Sequence, residues 1–151
     1  MKSKTLHEQI KKDLENYPIE YLEKKAKDKR YPDNLYKHLA IYNSNTYRDI
    51  FTKDVKDFNI NDTILGNMEK DLDEYLEQNG VNEEENKYTK ALCLYLALIC
   101  EKPLHPFGDK ETYKVYELNN EYYCKDRVKF IKDKNSLCKY CVCKKAIFSP
   151  F

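Results

Sequence analysis

Ala91-Leu92-Cys93-Leu94-Tyr95-Leu96-Ala97-Leu98-Ile99-Cys100 is an uninterrupted apolar run of ten residues within the segment Glu83 to Glu101. A helix that is apolar on every face must be covered on every side, so the run predicts a helix at the centre of a bundle. Ten helical residues span about 15 Å, whereas a bilayer needs roughly 20 residues, and a transmembrane helix is therefore excluded. Pro103 and Pro106 are expected to end this helix.

Apolar repeats upstream predict four or five amphipathic helices around the central one. The first helix carries Leu6, Ile10 and Leu14 on one face, and Thr5-Leu6-His7-Glu8 has the spacing of a capping box at its start. Further helical segments are marked by Ile19 and Leu22, by Leu35, Leu39 and Tyr42, by Ile50, Phe51, Val55 and Phe58, and by Ile64 to Leu76 with Asp62 as cap. Turns are predicted at Pro18, at Asn43-Ser44-Asn45 and at Gly80.

Beyond Pro106 the apolar pattern becomes strand-like. Thr112 to Leu118 and Glu121 to Cys124 are β-rich runs around Asn119-Asn120, which predicts a hairpin, and Val128 to Ile131 could add a third strand. We therefore predict a mainly α fold in a single domain, residues 1–151. A helical bundle is expected over 1–102 and a small C-terminal β-hairpin and metal-knuckle appendix over 103–151.

The composition describes one globular domain without a strong global field. Of 151 residues 41% are hydrophobic and 35% charged, and 27 basic residues nearly balance 26 acidic ones. Charge is segregated, with a net −7 over 67–86 and a net +6 over 124–145. Three interpretations are open. Both segments are solvated faces, the two segments dock on each other, or the basic segment is a surface for an acidic partner. The N-terminus has no apolar signal region, so we expect a cytoplasmic protein that does not enter a membrane.

The C-terminal cysteines carry the clearest chemical signal. Six cysteines in a chain without an export signal are expected to be reduced and to bind metal or pack as thiols. Cys138 and Cys141 are two residues apart, so both thiolates can bind one tetrahedral ion. Cys124 and His105 are the candidates for the other two positions, which gives a Cys3His zinc site. Cys143 in place of His105, an iron-sulfur cluster, or no metal at all are the alternatives.

The remaining cysteines and histidines have simpler interpretations. Cys93 and Cys100 lie in the apolar helix, where a buried thiol behaves as a small hydrophobic group, so we expect both to pack in the core. His7 and His38 fall on amphipathic segments and are expected to be exposed.

Three C-terminal segments resemble an uncharacterised protein family found mainly in methanogenic archaea. They are Lys102-Pro103-Leu104-His105-Pro106-Phe107-Gly108, Glu121-Tyr122-Tyr123-Cys124 and Leu137-Cys138-Lys139-Tyr140-Cys141-Val142. The resemblance covers about the last fifty residues. The resemblance implies the same four ligands that the spacing selects, namely His105, Cys124, Cys138 and Cys141. It implies no particular activity, because the family has none established. The chain departs from the family pattern at Asp109-Lys110-Glu111, at Lys125 and at Cys143.

Three classes of function follow from these observations. The first is a cytosolic zinc protein with a closed structural site and a protein partner still to be identified. The second is a metal-dependent enzyme, with His105 or Asp109 as general base, or an iron-sulfur redox protein. The third is a nucleic-acid-binding module in which basic side chains alternate with Tyr122, Tyr123, Phe130 and Tyr140. The sequence leaves the oligomeric state open.

Overall fold

The computed structural model describes residues 1–30, 32, 34–127 and 136–145. Within them, the α-helices are α1 (Ser3–Asp13), α2 (Ile19–Lys27), α3 (Leu35–Thr52), α4 (Asp62–Asn79) and α5 (Glu83–Leu94), and α5 continues as a π-helical turn, Tyr95–Ile99. The strands are β1 (Phe107–Gly108), β2 (Val115–Leu118), β3 (Glu121–Cys124) and β4 (Lys144–Lys145). The mainly α class with a small C-terminal sheet is confirmed.

The apolar run lies at the centre of the bundle, as predicted. Helices α1, α3 and α4 all pack against α5, and the buried side chains of the run include Leu92, Leu94, Tyr95 and Leu96. The Cys100 amide donates to the Tyr95 carbonyl at 3.0 Å, five residues back, which is the bond of a π-turn. The chain then leaves the helix at Glu101, whose φ of 52° is left-handed.

The capping-box prediction at the N-terminus is wrong. Helix α1 already begins at Ser3, and Lys2 precedes it without a side-chain cap. The chain start is fixed by long-range bonds instead. The Ser3 amide donates to the Phe58 carbonyl at 2.8 Å, and the Ser3 hydroxyl donates to the Lys56 carbonyl at 2.6 Å. These contacts align the start of α1 with the segment before α4, so Thr5 falls inside the helix.

The turn predicted at Asn43-Ser44-Asn45 is also wrong, because α3 runs through it. Ser44 and Thr46 are buried and donate their hydroxyls to the backbone carbonyls four residues earlier, each at 2.8 Å. A polar side chain that is satisfied within its own helix does not have to break it. Helix α3 ends at Thr52, so Val55 and Phe58 lie beyond it.

Two smaller predictions about helix ends and histidines need correction. Asn61, not Asp62, caps α4, and its side chain accepts from the Ile64 amide at 3.1 Å. His7 is 5% exposed rather than a surface residue, and its Nε2–H donates to the Ile50 carbonyl at 2.7 Å. His38 is half-buried, with its ring 4.9 Å from that of Tyr113.

The sheet order is β1-β2-β3-β4, with an antiparallel centre and parallel outer pairs. Strands β2 and β3 form the predicted hairpin, and Asn119 and Asn120 at its turn have φ of 54° and 64°. Asparagine tolerates this left-handed region better than most residues, which explains the turn. The third strand predicted at Val128 to Ile131 lies outside the described residues.

Candidate metal centre

Strand pairing brings two of the C-terminal cysteines together. Cys124 is the last residue of β3, and β4 pairs with the end of that strand through Tyr123↔Lys144 and Cys124↔Lys145. Cys143 directly precedes β4 and therefore comes to lie beside Cys124. Both thiols are buried with Val115 in a small apolar cluster, at 8% exposure for Cys124 and 2% for Cys143.

Cys141 joins the same cluster through its sulfur. The Cys143 thiol donates a hydrogen bond to the Cys141 sulfur, which is the main reason why the pKa of Cys141 lies below its ordinary value. The same bond, together with burial, raises the pKa of Cys143. Burial raises the pKa of Cys124. The Leu104 amide also bonds to the Cys141 sulfur, so the loop after the central helix borders the thiols.

Cys138 lies one turn away from the cluster. It opens a short 3-10 helix, Cys138–Tyr140, and its carbonyl accepts from the Cys141 amide at 3.1 Å. Arg127 Nη1 donates to the Cys138 carbonyl at 2.6 Å and to the Cys141 carbonyl at 3.4 Å. The turn from Cys138 to Cys141 is called the knuckle below. The guanidinium thus binds both ends of the knuckle and places a positive charge beside it.

The knuckle is attached to the helical bundle at one point of α4. Leu137 and Tyr140 pack against the helical core. Lys139 Nζ lies 2.9 Å from Asp71 Oδ2, and the Tyr140 hydroxyl donates to the same oxygen. Asp71 belongs to the acidic segment 67–86 and Lys139 to the basic segment 124–145. The two segments therefore dock on each other here, which is one of the three interpretations that the sequence offers.

Acid is expected to loosen this attachment. The bond from Tyr140 and the charge of Lys139 lower the pKa of Asp71, so the contact is present above the ordinary aspartate pKa of about 3.9 and is lost as pH falls further. Hydrogen exchange of residues 136–145, corrected for the intrinsic rate at each pH, should accelerate in that window. Asp71→Asn should accelerate it roughly fivefold at neutral pH, the equivalent of about 1 kcal/mol for a half-exposed charged hydrogen bond.

Asp73→Asn is the matched control for that experiment. Asp73 also lies on α4 and pairs with Lys90 at 2.9 Å, away from the knuckle. Its replacement should leave exchange of residues 136–145 unchanged. Equal effects of the two variants would contradict the docking role of Asp71.

His105 is exposed in the loop that leads into β1. It lines a cleft with His38, Tyr113 and Lys114. Partial desolvation and the Lys114 ammonium lower the pKa of His105. Asp109, the alternative base of the enzyme hypothesis, already accepts from the Thr112 amide at 2.8 Å.

The structure thus brings together only part of the predicted ligand set. Cys124, Cys141 and Cys143 share the cluster, Cys138 lies on the adjoining turn, and His105 is exposed in the loop before β1. Within residues 1–30, 32, 34–127 and 136–145, no three His, Cys, Asp or Glu side chains are arranged to hold a metal ion. Thiolates are among the donors that structural zinc sites use.

Cys93 and Cys100 pack against the helical core, as predicted. Burial raises the pKa of Cys93 to about 12, and the nearby Cys141 sulfur adds to that effect. Sequence reasoning missed this proximity and the bonds of Arg127 to the knuckle. The two-residue spacing of Cys141 and Cys143 is the signal that pointed to Cys143, since alternate residues of an extended chain share one side.

No helix in the part of the chain that the structure describes is long and apolar enough to cross a membrane. Fold and thiol cluster together define a helical-bundle domain with a cysteine-bearing β appendix. A family model described as "Uncharacterized protein conserved in archaea (DUF2115)" matches residues 2–146. A UPF0305 protein of Methanocaldococcus jannaschii is 31% identical over 95% of this chain and 96% of its own length.

The chain belongs to this archaeal family. The resemblance of the three C-terminal segments to this family is therefore confirmed, and the similarity extends over the helical part as well. No solved structure matches the chain.

Proposed function

We propose that this protein binds one structural zinc ion through its C-terminal cysteines and that the ion fixes the appendix for contact with a protein partner. The observation that carries the proposal is the packing of the partly buried Cys141 against the buried Cys124 and Cys143, with Cys138 on the adjoining turn. Four sulfur donors form a closed tetrahedral set that leaves no position for a substrate.

The surroundings of the cluster support a multi-thiolate ion. Zinc with four thiolates carries a net negative charge, which nearby cations must offset. Arg127 acts electrostatically on Cys141 and Cys143, and Lys114 acts on Cys124. In small modules a structural zinc ion contributes folding free energy on the order of 10 kcal/mol. The two-residue strands β1 and β4 supply little core of their own and would gain most from it.

Cys143 is the fourth ligand in this proposal, rather than His105. The Cys143 sulfur is buried and already bonded to Cys141, whereas the His105 side chain is exposed in the neighbouring cleft. Two of the aromatic residues of the nucleic-acid hypothesis are engaged within the protein. Tyr123 is 8% exposed, and the Tyr140 hydroxyl is bonded to Asp71. The structural zinc site is therefore favoured over the stacking surface.

Zinc content of single variants tests the ligand set. Wild-type protein purified without oxygen should contain one zinc per chain by elemental analysis. Cys143→Ala should lose most of the zinc, because three remaining donors bind it far more weakly. His105→Ala and the control Cys100→Ala, a cysteine of the helical core, should both retain it.

Other results would overturn the proposal in distinguishable ways. Zinc loss from His105→Ala with retention in Cys143→Ala would establish a Cys3His site instead. Iron with visible absorption at about 400 nm would identify an iron-sulfur protein. Wild-type protein without any metal would refute metal binding altogether.

A further inference from the structure

A single peptide group links helix α3 to the thiol cluster. It joins Pro103 and Leu104 in the loop between the π-helical turn and β1. The Pro103 carbonyl accepts a hydrogen bond from the Tyr42 hydroxyl of α3 at 2.5 Å, and the Leu104 amide donates to the Cys141 sulfur. Because a peptide group is planar, a bond that fixes its carbonyl also fixes the direction of its N–H.

Tyr42 contacts the chain on both sides of Leu104. Its hydroxyl binds the preceding residue, Pro103, which is fully buried. Its ring meets the ring of Phe107 edge to face, with the centroids 5.7 Å apart, and Phe107 packs against the thiol cluster. The Leu104 amide therefore lies between two contacts of one side chain.

A second contact of α3 with this loop ends on a side chain instead. Lys102 Nζ lies 3.3 Å from Asp49 Oδ2, so this ion pair holds the tip of a flexible side chain. The Tyr42 bond acts on the backbone itself. Burial raises the pKa of Tyr42, so its hydroxyl keeps the proton that it donates to the Pro103 carbonyl.

We propose that Tyr42 is a positioning residue that holds the Leu104 amide against the Cys141 sulfur. The effect on metal binding rests on the proposed zinc site, because hydrogen bonds to metal ligands orient the ligands and raise metal affinity. A hydrogen bond at the carbonyl also polarises the peptide group, which strengthens the N–H donor at its other end. The Tyr42 hydroxyl thus acts on Cys141 through one peptide group.

Amide exchange in the reduced, metal-free protein tests the position of this peptide group. Tyr42→Phe retains the ring and deletes the hydroxyl, so exchange of the Leu104 amide should become about fivefold faster. Tyr47→Phe is the matched control, because Tyr47 lies on the same helix and stacks on Tyr17 at the helical core. This control should leave Leu104 exchange unchanged. Amides of α4 should exchange equally in all three proteins, which excludes a general loss of stability.

The cobalt-substituted protein provides a signature of the sulfur itself. A hydrogen bond stabilises the electron pair of a thiolate sulfur, so its loss in Tyr42→Phe should shift the sulfur-to-cobalt charge-transfer band to longer wavelength. Cobalt affinity should fall about tenfold in this variant and stay unchanged in Tyr47→Phe.

The outcomes separate this proposal from the zinc proposal. Unchanged Leu104 exchange in Tyr42→Phe would overturn the positioning role, whether or not the protein binds metal. Faster exchange with an unchanged band and affinity would overturn the effect of Tyr42 on the site. Wild-type protein that takes up no cobalt would refute the metal site and the effect on affinity, while Leu104 exchange would still decide the positioning role.

Discussion

Replacement of Cys124 by serine is expected to release residues 136–145 from the sheet while helices α1 to α5 remain folded. Cys124 is the proposed ligand on β3, and the other three ligands lie on the segment that β3 holds through β4. Without the ion, the remaining attachments are the two-residue strand pairing, the Asp71 contacts, the Arg127 bonds and the packing of two side chains, those of Leu137 and Tyr140. Amide hydrogen exchange should show loss of protection over 136–145, and far-UV circular dichroism should retain the helical signal.

A chelator should produce the same local unfolding in the wild-type protein, since metal binding and folding of such a segment are coupled. Cys100→Ser is the matched control, because Cys100 packs against the helical core and is not one of the proposed ligands. It should keep full protection over 136–145. Full protection in chelator-treated wild-type protein would contradict a structural role for the ion.

The second large effect is expected in the helical core, where Leu72→Ala should cost about 2–5 kcal/mol of unfolding free energy. Leu72 lies on α4, is fully buried and belongs to the main core cluster. Truncation leaves a cavity that its tightly packed neighbours fill only in part. A domain of this size has about 5–15 kcal/mol of stability, so urea unfolding should shift strongly to lower denaturant concentration.

Ile64→Ala on the same helix provides the control for Leu72→Ala. Ile64 is 48% exposed, so its truncation should cost less than about 1 kcal/mol. Similar losses for the two variants would contradict the burial pattern of α4.

Helix positions followed from the sequence wherever apolar spacing was strong. Leu6, Ile10 and Leu14 of α1 and Leu65, Met68, Leu72 and Leu76 of α4 are buried as their spacing predicts. Errors arose where a distant contact decided the outcome. The start of α1 is set by bonds to Lys56 and Phe58, and the burial of His7 by the Ile50 carbonyl. Local sequence patterns contain no information about such partners.

The candidate site was predictable in part for the same reason. The spacing of Cys138 and Cys141, and the strand that ends at Cys124, are the sequence signals for three of the proposed ligands. The choice between His105 and Cys143 depends on the parallel pairing of β4 with β3, since that register places Cys143 beside Cys124. The role of Arg127 depends on carbonyls 11 and 14 residues away, which no motif encodes.

The zinc K-edge absorption spectrum of anaerobically purified protein tests the central claim most directly. Our account predicts a first shell of four sulfur atoms at about 2.3 Å from zinc. A shell with nitrogen or oxygen in place of one or more sulfurs would contradict the four-cysteine site, and absence of an edge would show that the protein does not carry zinc.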